Sequence, residues 1–429
     1  MNFVSTRGRT PTTSIDDALA AGLAHDGGLY VPETLAALPA FAPQPTLAAT
    51  AQRLLAPCFE GSRLRDALDA LCDEAYAFDA PLRPLAGPGD HVLELFHGPT
   101  AAFKDYAARF LAAALSALRD DEGDTDIVVA TSGDTGAAVA AAFHGRPGFR
   151  VTILYPQGRV SPRQAHGLEC WGGNVRAFRV AGSFDDCQRM AKAVLADADL
   201  RARRRLTSAN SISLGRLLPQ MAYYAHAGAQ HLAAHGTVPG FVVPTGNLGN
   251  ACAAVLAQRM GAPVGPIVLA CNANDALPRY FGGADYAAQP TRATLANAMD
   301  VGAPSNFERL RHLFGGDDAA LRAAIVAVSV DDATIRETIR AAQARHGIVP
   351  CPHTATALHV LETLRERGDA RPWAVVATAH PAKFETIVEP LVGAAVPPPP
   401  ALADCLARPA HGEALPADAQ ALREALLDD

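Results

Sequence analysis

The sequence predicts a mostly parallel α/β architecture in two layers, preceded by a mainly helical N-terminal region, on three observations. Eight short apolar runs rich in β-branched residues read as strands: 92–95, 127–131, 150–155, 175–180, 241–244, 267–271, 325–330 and 374–378. Helical patterns lie between many of these runs, as expected when parallel strands are joined by helical crossovers and covered on both faces. The runs also extend over too long a stretch of chain for one sheet, so two α/β layers are expected.

Taken in order, residues 16–23, 47–55 and 62–71 carry apolar residues at helical spacing, separated by Pro and Gly. A helix follows Lys104, with Ala107, Phe110, Leu111, Ala114, Leu115 and Leu118 on one side. Further helices are expected at 135–143, 184–195, 214–234, 250–260 and 332–345. The prolines at 397–400 mark a turn or linker before a last helix at about 417–427. This gives an N-terminal region at 1–90, a larger domain from 91–130 and 240–395, a smaller domain at 131–239, and a C-terminal linker and helix at 396–429.

Composition removes several function classes. The chain has 429 residues, 37 Lys+Arg against 44 Asp+Glu for a net charge of −7, and 19% charged residues. It is therefore long enough for more than one buried core, and its mild acidity draws it neither to nucleic acid nor to an anionic membrane. No apolar run is long enough to span a bilayer, and the first residues lack the pattern of a secretory signal. Eight cysteines without a CxxC pair suit buried thiols in a reducing cytoplasm. His231 and His235 have helical spacing, but with no third ligand in sight they read as a solvated helix face, and no metal is expected.

Four loops at the C-terminal ends of expected strands carry the chemistry, because ligands of open α/β sheets bind there. ELFHGPTAAFKD (94–105) places Lys104 at the mouth of a helix. The positive end of the helix dipole lowers an ammonium pKa, which suits an amine that attacks a carbonyl, although a snorkelling surface lysine fits the same pattern. ATSGDTGAAV (130–139) offers hydroxyls and helix amides to an anion, or is an ordinary N-cap. VPTGNLGN (243–250) can point several N–H groups at one phosphate, and is neither a P-loop nor a dinucleotide fingerprint. Thr378 ends the last strand with a hydroxyl, as a ligand contact or a satisfied core threonine. An amine, a phosphate cradle, an anion loop and a neutral hydroxyl are together what pyridoxal phosphate requires.

The four segments just described, with DGGLYVP (26–32), ILYPQGRVSP (153–162), NSISLGRL (210–217), NAND (272–275), NAMDVGAPSN (297–306) and TAHPAKF (378–384), occur over nearly the whole chain. In this order they resemble the threonine synthase family, bacterial and fungal branch, among the fold-type-II (tryptophan-synthase-β-like) pyridoxal-phosphate enzymes. Leu248 stands where that family usually has Phe, and residues near 279–290 look shortened. The resemblance implies two fold-type-II α/β domains, with Lys104 in Schiff-base linkage to pyridoxal 5'-phosphate. Gly246, Asn247, Leu248, Gly249 and Asn250 would hold the cofactor phosphate, and Thr378 would meet the ring nitrogen. Ser132, Asp134 and Thr135 would receive the substrate carboxylate, with Asp134 also bordering the cofactor. Ser211 and Arg216 would contact substrate, with Arg159 as a second candidate for its phosphate.

The implied activity is that of a carbon–oxygen lyase, the last step of threonine biosynthesis, turning O-phospho-L-homoserine and water into L-threonine and phosphate. A cytoplasmic enzyme, monomeric or homodimeric, is expected. A phospho-lyase or dehydratase yielding a 2-oxo acid is the neighbouring alternative, and a non-catalytic phosphate-binding module is the alternative of another class.

Overall fold

The structure is a computed structural model that describes residues 1–38, 41–87, 89–119 and 123–428. Its strands are β1 (Phe3–Ser5), β2 (Tyr30–Pro32), β3 (Leu82–Pro84), β4 (Asp90–Glu94), β5 (Thr125–Ala130), β6 (Phe149–Pro156) and β7 (Val175–Ala181). They continue with β8 (Arg205–Thr207), β9 (Gly240–Pro244), β10 (Ile267–Cys271), β11 (Ile325–Ser329), β12 (Trp373–Ala377) and β13 (Gly412–Pro416). β1 and β2 pair antiparallel near the N-terminus. A six-stranded sheet has the order β11-β10-β9-β12-β4-β3, parallel except for β3, and a five-stranded parallel sheet has the order β13-β7-β6-β5-β8.

Both sheets are buried on two faces, and the period-two alternation of a strand sorts its residues between them. In β5, Ile127 and Val129 enter the central core, whereas Val128 and Ala130 pack outward against the helices Phe184–Ala196 and Ala419–Leu427. In the larger sheet, Phe241, Val243 and Leu269 face the central core. Val242, Val268 and Val375 face the opposite way, onto the helices Asp332–His346 and Pro352–Glu366. Helix Lys104–Leu118 contributes Phe110, Leu111 and Leu115 to the central core that both sheets share. A fully buried Leu or Phe side chain contributes roughly 1.5–3 kcal/mol, so this shared core joins the two layers firmly.

All eight expected strands are present, and the sheet assignments shift the expected boundaries. β5, assigned from sequence to the larger domain, is an inner strand of the five-stranded sheet, because it pairs with β6 and β8. β13, expected as linker, extends that sheet through β7. The expected 214–234 helix is cut at Pro219 into Leu214–Leu217, a 3-10 turn and Met221–His235. That last helix packs on Leu47–Leu55 and Gly249–Arg259, beside the larger sheet. The expected helix at 62–71 begins only at Leu68, since Ser62–Ala67 form successive turns. Among the described residues, no helix is long and apolar enough to cross a membrane.

The topology places the site. The order of the larger sheet reverses between β9 and β12, and that of the smaller sheet reverses at β5. At such points the loops leaving adjacent strand ends diverge and open a crevice. The loops after β4, β5, β9 and β12 all end there.

Candidate active site

Lys104, Ser132, Asp134, Thr135, Ser211, Arg216, Gly246, Asn247, Leu248, Gly249, Asn250 and Thr378 line one cavity of about 410 Å³ between the two sheets. Arg159 is not among its walls, and sits exposed on the turn after β6. The structure thus assembles every site residue expected from sequence except that arginine.

Backbone pairing sets Lys104 beside Thr378. The loop after β4 is stitched to the end of β12 by Leu95 N–H to Ala377 O (3.0 Å), Phe103 N–H to Thr378 O (2.8 Å) and His380 N–H to Ala101 O (3.0 Å). Buried Asp105 holds the loop from inside, accepting from Thr100 N–H (2.9 Å) and Thr100 Oγ1 (2.6 Å). Lys104 then begins its helix with no side-chain cap before it. Its Nζ lies 4.9 Å from the Phe103 ring centroid, and no hydrogen bond or ion pair reaches it among the described residues. Burial, with lesser pushes from Arg216 and Lys383, brings this amine down to about 8 against the upward pull of Asp134. At neutral pH a useful fraction is therefore uncharged.

The turn after β9 is a cradle of backbone. A Cβ on Gly246 would come within 2.6 Å of Met299 Cα, so only glycine fits there. Leu248 takes the left-handed conformation, φ 63°, immediately before helix Gly249–Arg259. Its side chain is buried, which holds a conformation that a Leu otherwise avoids. Asn247 braces the turn: its Nδ2 donates to Ser211 Oγ (2.7 Å) and its Oδ1 accepts from Ser305 N–H (2.6 Å). Asn306 Nδ2 donates to Asn247 O (3.0 Å), and Asn306 is itself fixed by buried Arg309, which also donates to Tyr30 O. Asn250 Oδ1 accepts from Tyr223 (2.6 Å) and Tyr224 (2.9 Å), while its Nδ2 is buried with no partner. The first amides of a helix have no intrahelical acceptors, so this turn offers a phosphate a set of donors and the positive end of a dipole.

The turn after β5 is built differently. Thr131 Oγ1 accepts from Gly133 N–H (3.0 Å) and Gly136 N–H (2.9 Å), folding the turn over itself. Gly133 has φ 132°, which other residues rarely adopt. Asp134 follows, buried, and pairs with Lys383 Nζ (2.8 Å). Burial alone would raise this carboxyl, but the Lys383 and Lys104 ammoniums, then His353, outweigh it and hold Asp134 well below the usual carboxylate range. Ser132 and Thr135 remain at the cavity surface beside the N-terminus of helix Asp134–Phe143.

Arg216 reaches the cavity from the opposite wall. Its Nη1 donates to Ala209 O (2.6 Å), while its Nε is buried with no partner, as is Asn210 Oδ1. Unpaired buried polar atoms cost about 1–3 kcal/mol each, and here three of them, counting Asn250 Nδ2, belong to cavity-lining residues.

Sequence reasoning missed several residues here. Lys383 donates to Thr100 O (2.7 Å) besides pairing with Asp134, and is fully buried. It lies in the quoted TAHPAKF segment, five residues after Thr378, so its signal was present. His353 accepts from Ala298 N–H (3.1 Å), and burial pushes it down to about 4 against the pull of Asp134. Asp300 also lines the cavity. Burial pushes it up to about 7, although Thr294 and Asn272 donate to it. Lys192, on helix Phe184–Ala196, is an exposed cation in the cavity lining.

This geometry accords with comparisons to known proteins. Residues 91–382 match the family described as pyridoxal-phosphate dependent enzyme, residues 2–76 the threonine synthase N terminus and residues 354–426 the threonine synthase C-terminal family. The chain is 38% identical to threonine synthase of Haemophilus influenzae over 94% of each chain. It is 36% identical to that of Escherichia coli over the full length of both. The crystal structure of threonine synthase from Escherichia coli superposes with a TM-score of 0.91 over 100% of both chains at 36% identity. The PLP-bound threonine synthase from Brucella melitensis gives 0.90 at 34% identity, over 99% of this chain and 98% of that one. The chain belongs to the threonine synthase family of pyridoxal-phosphate-dependent enzymes.

Proposed function

We propose that this chain converts O-phospho-L-homoserine and water to L-threonine and phosphate, with Lys104 as the cofactor-bearing and proton-moving amine. The observation that carries the reading is one buried amine, without a hydrogen-bond or ion-pair partner among the described residues, in a cavity also lined by the N-termini of helices Asp134–Phe143 and Gly249–Arg259. The residues present suit pyridoxal 5'-phosphate: the turn after β9 lines the cavity at the N-terminus of helix Gly249–Arg259, and Asn250 in that helix's first turn carries an orphan donor, Nδ2. Gly246, Asn247, Leu248, Gly249 and Asn250 would hold that phosphate, Lys104 the aldehyde carbon and Thr378 the ring nitrogen. When bound, this cofactor supplies an electron sink for the carbanion character that develops on the substrate.

The protein does the rest by holding groups and moving protons. Ser132 and Thr135, with the amides of their helix, receive the α-carboxylate. Arg216, whose unpaired Nε belongs to the opposite wall, is the group that grips the substrate phosphate, with Ser211 beside it. Lys104, as a free amine, would take the proton from Cα, and an amine with a value near 8 can both accept and return protons at working pH. It also serves the proton transfers at Cβ and Cγ that accompany phosphate loss and water addition at Cβ. Asp134 stays charged through its pair with Lys383, so its contribution is a fixed negative field that steadies the ammonium form of Lys104. Eight free, buried cysteines support a reducing, cytoplasmic location.

The test combines labelling and product identity. Borohydride reduction of the cofactor-loaded protein should fix a pyridoxyl group on the peptide containing Lys104. Supplied with O-phospho-L-homoserine, the enzyme should then release threonine and phosphate in equal amounts. A 2-oxo acid as the main product would assign the chain to the phospho-lyase or dehydratase alternative, and the lack of any label would leave only a phosphate-binding module.

A further inference from the structure

The sequence alone offers His231 and His235 as an unsupported pair, but the fold supplies a third histidine. His91, the second residue of β4, packs its ring 5.0 Å from that of His231 and 5.8 Å from that of His235. The two helical rings are 4.6 Å apart. One candidate ligand atom from each of the three lies within 4.8 Å of the other two. His231 is not on a solvated face: it is 3% exposed, His91 is half-buried and only His235 is open to solvent.

The outer hydrogen bonds orient these rings for coordination. His231 Nδ1 lies 2.8 Å from Thr237 O, and His91 Nδ1 lies 3.3 Å from Gly89 O. A carbonyl can only accept, so each Nδ1 carries the proton and each Nε2 keeps its lone pair. This is the arrangement that fixes the tautomer of metal-binding histidines. His231 and His235 are four residues apart and share one face of their helix. His235 ends the fifteen-residue helix Met221–His235, where the carbonyl end of the dipole favours a cation. The neighbouring carboxylate of Asp90 is taken by Arg365 and is not a ligand here.

We propose that His91, His231 and His235 form a binding site for a zinc-class divalent cation, with water in the fourth position. Tetrahedral zinc takes imidazole nitrogens at about 2.0–2.1 Å, so the donors must draw in slightly from their present spacing. Exposed His235 is free to rotate and supply that movement. The site lies at the N-terminal ends of the parallel strands, whereas the cofactor cavity lies at their C-terminal ends. Its consequence is therefore structural: a cation clips the end of helix Met221–His235 to β4.

The experiment uses the full chain, untagged, loaded with pyridoxal phosphate and stripped of metal by a chelator and dialysis. Calorimetric titration with zinc chloride should show one equivalent bound, and cobalt(II) should give the visible absorption of a four-coordinate site. Zinc should raise the melting temperature of this protein. In His235→Gln and His91→Gln the affinity should fall at least tenfold, the cobalt spectrum should be lost and the zinc-induced rise in melting temperature should vanish. Threonine formation by metal-free His235→Gln should match the metal-free parent. His231→Gln is less informative because the residue is buried, so the other two variants carry the test. The proposal is overturned if the parent binds no zinc, or if both variants bind it as tightly as the parent.

Discussion

Lys104 and Lys383 stand at the same end of the six-stranded sheet and differ in whether an acceptor lies within reach. Lys383 Nζ is held between Thr100 O and Asp134 Oδ1, and its charge is fully compensated. Lys104 Nζ faces the cavity with neither, and burial lowers it to about 8. The contrast shows how a fold pairs one buried amine and leaves another without a partner while the side chain stays the same. A charge paired on two sides is held in position, while one left without a partner in a dry site gives up its proton more readily.

The sharpest way to break this comparison is to remove each amine in turn. On the roles proposed for it, Lys104→Ala should lower threonine formation roughly a thousandfold or more, since it would remove both the covalent anchor and the proton-moving amine. Its apo form should melt at or above the parent temperature, because a dehydrated, unpaired amine has gone. Lys383→Ala should do the reverse to stability, costing about 3–5 kcal/mol by leaving Asp134 buried and unpaired. Urea unfolding of the two variants measures this, and equal stabilities would erase the distinction.

A smaller effect concerns the pH at which the reactive amine becomes available. The rate of cofactor uptake by the apo protein should rise with pH through about 8 as Lys104 loses its proton. Asp134 pulls that value up, so Asp134→Asn should move the midpoint to lower pH. Stopped-flow absorbance at the imine band reads the shift, and a midpoint unmoved or moved upward would contradict the assigned field.

The smallest effect belongs to His353, which the cavity keeps neutral. Its folded value of about 4 lies below its ordinary 6.5, so the unfolded chain takes up the proton first. The stability it contributes is complete above about 6.5 and is lost as pH falls toward 4. His353→Gln should flatten that part of the stability profile by about 3 kcal/mol, measured by denaturant midpoints across the range.

The same contrast explains what the sequence made legible. Eight strands and most of the helices between them were visible because strands buried on both faces are continuous apolar runs. β13 was not, since Gly412–Pro416 contains no β-branched residue and is a strand only because the edge of β7 accepts it. Helix Pro162–Glu169 is announced in the sequence only at its start, where Ser161 and Gln164 form a capping box with Pro162 in the first turn. Lys104 stood out through its place at a helix mouth. Lys383 and Asp134 are 249 positions apart in the numbering and meet only through tertiary folding. No local pattern could announce that pair, and the same holds for His91 beside His231.

The Lys383–Asp134 bond belongs to a seam. Beside it Ser161 Oγ donates to Lys383 O (2.6 Å), and Arg163 donates to Ala382 O (2.9 Å) and pairs with Glu389 (3.0 Å). Each of these ties an element of the five-stranded layer to the segment following β12. The buried Asp134–Lys383 pair is therefore one stitch of several, and loosening any neighbour in this corner acts on the charge that borders the cavity.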